Sequence, residues 1–308
     1  MRALVTGGAG FIGSNLVDRL LADGHDVTVL DDLFTGYREN VNPRAQFVEA
    51  SVADEPLVRE AMAGVNVVFH QAAHKAVQRS VEHPLVTDLA NTHGTLTLLK
   101  AALDAGVRRV VYASSSSVYG GADVVPTPES QPLYPRSPYA VTKVAAEHYC
   151  HVFTDLYGLE TVRLRYFNVY GPRQRPDSTY AAVIPLFIDA LLHGTQPLVF
   201  GDGLQSRDFT YITDVVDANI AAATAPGDAC AGRVYNVAGG DETTLLELLD
   251  AIGNVLDVKP APEFSAARAG DVRNSRGDGA LAERDLGFTC RVPLDEGLLA
   301  TINWLRTR

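Results

Sequence analysis

The stretch LVTGGAGFIGSNL, residues 4–16, decides the fold. An apolar run breaks at Gly7, and glycines recur at Gly10 and Gly13 as the helical pattern GSNLVDRLLADG begins; that pattern stops at Gly24. Three glycines at this spacing are common by themselves. Their meaning comes from context: a strand, a tight turn and a helix in direct succession. Glycine permits the turn and lets backbone N–H groups approach an anion at the helix N-terminus, where the dipole also favours negative charge. The second strand, DVTVLDD (26–32), ends in Asp31 and Asp32. A carboxylate there can accept hydrogen bonds from the hydroxyls of an adenosine ribose. Two acids would repel a 2′-phosphate, so the pattern predicts a site for NAD rather than NADP.

Working outward, the alternation continues. AQFVEA (45–50), VNVVFHQAA (65–73), RRVVYASSS (108–116) and TVRLRYFNVYG (161–171) read as strands, and 55–63, 86–105 and 138–157 as helices. This order predicts an α/β fold, a Rossmann-type doubly wound parallel sheet with helices on both faces. After Gly171 the texture changes to the loop GPRQRPDS, a helix over 183–193 and short strands with turns such as VFGDG. FTYITDVVDANIAAAT (209–224) reads as an edge strand and a helix returning to the first lobe. The expected division is an NAD-binding domain over 1–171 with a return segment at about 209–238. A smaller, interleaved C-terminal substrate lobe would comprise 172–208 and 239–308.

Composition narrows the partners. The 308 residues suit one large domain or two intimate ones, and 46% hydrophobic with 20% charged residues is ordinary globular usage. No apolar run reaches the roughly 18 residues of a membrane span. A net charge of −11 argues against nucleic acid or an anionic membrane as partner. Cys150, Cys230 and Cys290 lie far apart, without a C-x-x-C spacing. Neither a disulfide framework nor a cysteine metal site is expected, and early glycines interrupt any leader pattern. The chain reads as cytoplasmic, with no metal.

Two further stretches carry chemistry. SSSSVYGG (114–121) directly follows the apolar VVYA, so its hydroxyls read as the end of a buried strand, not as a linker. Open α/β sheets bind ligands beyond those strand ends. SPYAVTKVAAEHYC (137–150) sets Tyr139 and Lys143 one helical turn apart on one face. A free phenol, with a pKa of about 10, is a poor base. A neighbouring ammonium stabilises the phenolate, and the pair becomes a usable general base. In VFHQAAHKAV (68–77), Ala72 and Ala73 allow close passage of a cofactor, and Lys75 can reach a pyrophosphate.

TGGAGFIGSNL, SSSSVYG, SPYAVTK, RYFNVYGPRQ, SRDFTYITD, YNVAGG and GDVRNS follow one another over almost the whole chain. In that combination the sequence resembles the extended short-chain dehydrogenase/reductases of the NAD-dependent sugar-nucleotide epimerase/dehydratase group. Within it, the chain is most similar to UDP-hexose 4-epimerases of the UDP-N-acetylglucosamine type. The resemblance implies a tightly held NAD, a catalytic set of Ser115, Tyr139 and Lys143, and a UDP-sugar substrate. It extends the cofactor contacts to Phe11, Ile12, Thr35, Gly36, Ser51, Val52, Gln71, Asn91, Tyr139 and Tyr166, with Lys143 also on the nicotinamide ribose. It assigns substrate contacts to Ser115, Ser116, Asn168, Ala182, Val183, Val199, Phe200, Arg207 and Arg273, with Arg268 as a further candidate. Ser275 falls where strict glucose/galactose epimerases carry a bulky tyrosine, which opens the pocket near C2. Ala76 stands where the N-acetylglucosamine subgroup can carry a serine. A homodimer through helices 86–105 and 138–157 is also implied. Leu96, Leu99 and Ala102 recur there at a spacing of three, as an interface or as intrachain core.

The residues after Ser115 separate the reactions. Dehydratases of this group resemble TDEVYG, with an acid and a base to remove water, and the decarboxylases carry Glu at the second position. Here those places hold Ser116 and Ser117. A hydroxyl supplies neither role at neutral pH without an activating partner. What remains is C4 epimerisation of a UDP-hexose, UDP-N-acetylglucosamine or UDP-glucose/galactose. UDP-glucuronate is the alternative, with Arg173 or Arg175 on its carboxylate. A non-catalytic NAD-sensing regulator would have lost Tyr139 or Lys143, and both are present.

Overall fold

Seven parallel strands form the centre of the computed structural model, which describes residues 1–121, 124–177, 181–267 and 272–307. β1 (Arg2–Thr6), β2 (Asp26–Asp31), β3 (Gln46–Glu49), β4 (Val67–His70), β5 (Arg109–Ser115) and β6 (Glu160–Tyr166) are joined at the edge by Arg233–Val237. The order across the sheet is Arg233–Val237, β6, β5, β4, β1, β2, β3. The chain leaves β1 to pair with β2 on one side and returns to pair β4 on the other. That reversal opens a crevice over the end of β1, where ligands of such sheets sit. β4 and all but the last residue of β5 are buried, because helices cover both faces.

Two apolar clusters flank the sheet. On one face α1 (Phe11–Ala22) and the helix Ile212–Thr224 pack Leu16, Leu20, Val215 and Ala222 onto Val5, Phe69 and Val111. On the other, Leu98, Leu99 and Ala102 meet Ala146, Cys150 and Phe153 of the helix Pro138–Tyr157. Leu99 and Ala102 are fully buried and Leu96 is half-buried against them, so this face is intrachain core. A third cluster gathers the helices Val183–Leu192, Leu245–Leu256 and Leu294–Leu305.

Two expected elements are interrupted. A helix not expected, Val77–Glu82, comes first, and the helix expected over 86–105 is itself a series: Pro84–Asp88, a π-helical turn Leu89–His93 and Gly94–Asp104. Pro84 has no N–H to continue that first helix and starts the next. The strand expected over 161–171 leaves the sheet after Tyr166, and Val169–Tyr170 pairs instead with Thr210–Tyr211. Among the described residues no helix is long and apolar enough to cross a membrane.

Candidate active site

The glycine turn is sterically closed to side chains. Gly7 has φ +69°, and a Cβ there would lie 2.7 Å from the Ala72 nitrogen. A Cβ on Gly13 would lie 2.1 Å from the Gly7 carbonyl oxygen. Gly10 precedes α1 and offers no side-chain cap, so the helix presents uncapped N–H groups. Asp31 is buried and fixes this turn, its Oδ2 accepting from Ala9 N at 2.9 Å and its Oδ1 from Leu33 N at 2.8 Å. Burial pushes its carboxyl up from the ordinary value, against the pull of those two bonds. Asp32 stands exposed beside it.

A cleft of about 1340 Å³ runs from this turn to the ends of β5 and β6. It exceeds the roughly 300–1,000 Å³ of a single-ligand pocket, which suits a dinucleotide and a substrate end to end. The glycine cradle, the uncapped helix start and the ribose-side carboxylates fit NAD. Gly7, Gly10, Phe11, Ile12, Gly13, Asp31, Asp32, Thr35, Gly36, Ser51, Val52, Gln71, Ala72, Ala73, Lys75 and Tyr166 line the wall. So do Ser115, Ser116, Tyr139, Lys143, Asn168, Ala182, Arg207 and Ser275.

The serine row is the end of β5. Ser114 is buried and donates to Glu147 Oε1 at 2.5 Å. Ser115 ends the strand and caps the 3₁₀ turn Ser116–Tyr119, its Oγ accepting from Ser117 N at 3.2 Å. Gly120 closes that turn in the left-handed region, where a Cβ would lie 1.8 Å from the Tyr134 carbonyl oxygen.

The facing helix starts at Ser137, whose Oγ caps Ala140 N at 3.1 Å, with Pro138 in the first turn. It presents Tyr139 and Lys143, both buried. Lys143 Nζ donates to the Ala113 carbonyl at 2.7 Å and lies 5.9 Å from the Tyr139 ring centre. Burial pushes the phenol up from its ordinary value, and a hydrogen bond with Ser115 works against the shift. Burial also lowers Lys143 to about 8, with Glu147 opposing. The expected depression of the phenol by its lysine is therefore not what this arrangement gives. Desolvation sets the direction of the phenol's shift, and the ammonium is engaged with Ala113. Ser115 and the pair still bring a hydroxyl, a phenol and an ammonium together on the cleft wall, as proton transfer at a sugar hydroxyl requires.

Five expected contacts lie off the wall. Asn91 is buried behind it, with Oδ1 accepting from His74 N at 2.8 Å and Nδ2 donating to Thr142 Oγ1 at 3.0 Å. Val199 is fully buried in the third cluster, and Val183 packs against that cluster. Phe200 lies on the short strand Leu198–Phe200, away from the lining. Arg273 is exposed and paired with Asp202 at 2.7 Å. Arg268 lies outside the described residues. Arg173 and Arg175 do line the cleft, but Arg173 pairs with Asp18 at 2.6 Å and Arg175 with Asp177 at 2.9 Å and Glu39 at 3.2 Å.

Sequence reasoning also passed over wall residues. Phe34 and His74 stack with ring centres 4.0 Å apart and planes 14° from parallel, and the Arg79 guanidinium lies 4.3 Å over Phe34. The stack joins the loop after β2 to the loop after β4. No local pattern signals a contact between residues so far apart in sequence. Glu147, behind the wall, was passed over too, although its place one turn after Lys143 was a signal that could have found it.

The family model described as NAD dependent epimerase/dehydratase matches residues 3–238. The chain is 44% identical to UDP-glucose 4-epimerase of Mycolicibacterium smegmatis, over 100% of this chain and 99% of that protein. It superposes on UDP-glucose 4-epimerase from Thermotoga maritima, solved with UDP-glucose, with TM-score 0.95 and 38% identity, covering 100% of this chain and 99% of that one. UDP-N-acetylglucosamine 4-epimerase from Methanobrevibacter ruminantium, solved with UDP-N-acetylmuramic acid, gives TM-score 0.94 and 37% identity over 99% and 98%.

Proposed function

The chain belongs to the NAD-dependent epimerase/dehydratase family, and on that premise we propose that it inverts C4 of a UDP-hexose through a transient 4-keto sugar. The observation that carries this reading is the gathering of Ser115, Tyr139 and Lys143 on the cleft wall, with serines and no acids at 116 and 117. Bound NAD supplies the chemistry of accepting the C4 hydride and returning it. Tyr139 takes the 4-hydroxyl proton as phenolate and returns it at the end. Ser115 hydrogen-bonds the 4-oxygen, and the Lys143 ammonium favours the phenolate. Gly7, Gly10 and Gly13 with the start of α1 hold the pyrophosphate, and Asp31 and Asp32 the ribose. Asn168 and Arg207 grip the sugar-linked diphosphate, and Ser275 leaves room for a C2 N-acetyl group.

UDP-N-acetylglucosamine and UDP-glucose are the first substrates to test, by NMR of the products formed by purified protein. A UDP-glucuronate reading asks for an available cation at C6, and Arg173 and Arg175 already have carboxylate partners. Three free cysteines suit a reducing cytoplasm.

The same reading includes a homodimer, with its interface moved from the expected residues. Leu85 is 84% exposed, Val81 62% and Leu89 55% on the helical pieces that pack against the helix Pro138–Tyr157, on which Leu156 is 71% and Val141 52% exposed. Exposed apolar residues on helices that pack together suit burial against a second copy.

A further inference from the structure

Glu147 follows Lys143 by one turn and Tyr139 by two on the same helix, and it is 2% exposed. Both its oxygens are engaged. Oε1 accepts from Ser114 Oγ at 2.5 Å and from Arg165 Nε at 2.9 Å, and Oε2 accepts from Arg165 Nη2 at 2.7 Å. Arg165 Nη1 continues to the Tyr119 hydroxyl at 2.9 Å, which donates to Asn236 Oδ1 at 2.7 Å. The carboxylate therefore ties the catalytic helix to both strands that end in the cleft.

Its charge has a second consequence. Lys143, Arg163 and Arg165 are all buried in this region. Arg163 spends its guanidinium on backbone carbonyls of Glu147, Gly232 and Arg233. The other titratable groups facing Lys143 carry no compensating charge. His70 on β4 is lowered to about 3 by burial and stays neutral. Burial keeps the Tyr112 phenol on β5 and the Cys150 thiol on the helix protonated, and Tyr139 likewise in the resting site. Lys143, Arg163 and Arg165 thus share the Glu147 carboxylate, while Glu129 also faces Arg165 and Asp155 faces Arg163.

We propose that Glu147 is a positioning residue for the catalytic pair: its carboxylate keeps the Lys143 ammonium charged beside Tyr139 while holding Ser114 and Arg165 at the strand ends. The role given to Lys143 rests on the epimerase reading, but the electrostatic link does not. Removing the carboxylate takes away the negative charge that opposes the desolvation of Lys143, and of the three cations around Glu147 the lysine is the one that can give up its proton.

The chain has four lysines, Lys75, Lys100, Lys143 and Lys259, so ε-¹³C-lysine labelling of the NAD-loaded protein gives a small set of signals to titrate. Lys143→Arg assigns the one of interest. In Glu147→Gln its midpoint falls by about one pH unit or more, and in Arg165→Gln, which removes a cation, it rises. The alkaline limb of kcat/KM moves with it in each variant. A Lys143 midpoint that stays put in a folded variant overturns the proposal, because a stitching role alone would not move it. Should Glu147→Gln not fold, the Arg165→Gln shift decides. Failure of the epimerase reading would appear separately, as wild-type protein that inverts no UDP-sugar while Lys143 titrates as described.

Discussion

Burial holds the Tyr139 phenol above its ordinary pKa, so it serves as a base only if its neighbours stabilise the phenolate. Tyr139→Phe removes that acceptor without disturbing the glycine cradle. We expect kcat to fall by about 10²- to 10⁴-fold with NAD content unchanged, checked by assay and by mass spectrometry of the denatured protein. Lys143, lowered to about 8, sets the alkaline limit: kcat/KM falls above about pH 8 as the ammonium discharges. Stability moves the other way. Between about 8 and the ordinary lysine value of about 10.4, the unfolded chain keeps a proton that the folded one has lost, so this group's contribution rises with pH. A urea midpoint that drops in step with activity across that window would assign the loss to unfolding instead. Ser275→Tyr fills space in the cleft, and overpacking of about 1–3 kcal/mol slows N-acetylated sugars roughly 5- to 150-fold. UDP-glucose should be much less affected, and equal slowing of both sugars would remove Ser275 as a gate. At this scale local spacing made Gly7, Tyr139 and Lys143 legible, since each is set by its near neighbours in sequence. Resemblance placed Val199 and Arg273 near the substrate, but side-chain direction is decided by packing: one is buried in the third cluster and the other drawn to Asp202.

The helix Pro138–Tyr157 divides its faces by task. Tyr139, Lys143 and Glu147 point inward, while Val141, Val152 and Leu156 remain exposed. Its inward residues repeat every four, so that face was readable from sequence. The break ahead of it at Pro84 was not read, although the proline inside the stretch EHPLVTDLA was its signal. The π-helical turn at Leu89–His93 had no such local signal, and Asn91 within it reaches His74 and Thr142 across the fold. The Phe34–His74 stack is likewise tertiary, and it closes the loops after β2 and β4 towards each other over the end of β1. Phe34→Leu keeps bulk and loses the stack. Aromatic and cation–π terms of this kind predict NAD release about 5- to 30-fold faster, read as exchange of bound NAD against isotope-labelled NAD. Unchanged exchange would reduce the stack to surface packing.

Across the whole molecule, the sheet order sets where chemistry can happen. Reversal of direction on either side of β1 opens the crevice, and β5 and β6 carry the serines and Asn168 to its far end. The alternation of strands and helices made this architecture legible from the start. The outer surface was less so, because an apolar residue at helical spacing serves core or interface equally: Leu99 went inside and Leu85 outside. Replacing Leu85 and Leu89 together by Asp should convert a dimer to a monomer by light scattering, with the fold retained by circular dichroism. A wild type that is monomeric at assay concentration would refute the interface. The central claim is inversion at C4 without net oxidation or water loss. Purified protein incubated with UDP-N-acetylglucosamine and, separately, UDP-glucose should, for at least one of them, give by proton NMR a mixture of the two C4 epimers with every sugar carbon retained. Accumulation of a 4-keto-6-deoxy sugar or a pentose, or no change in either sugar, would contradict it.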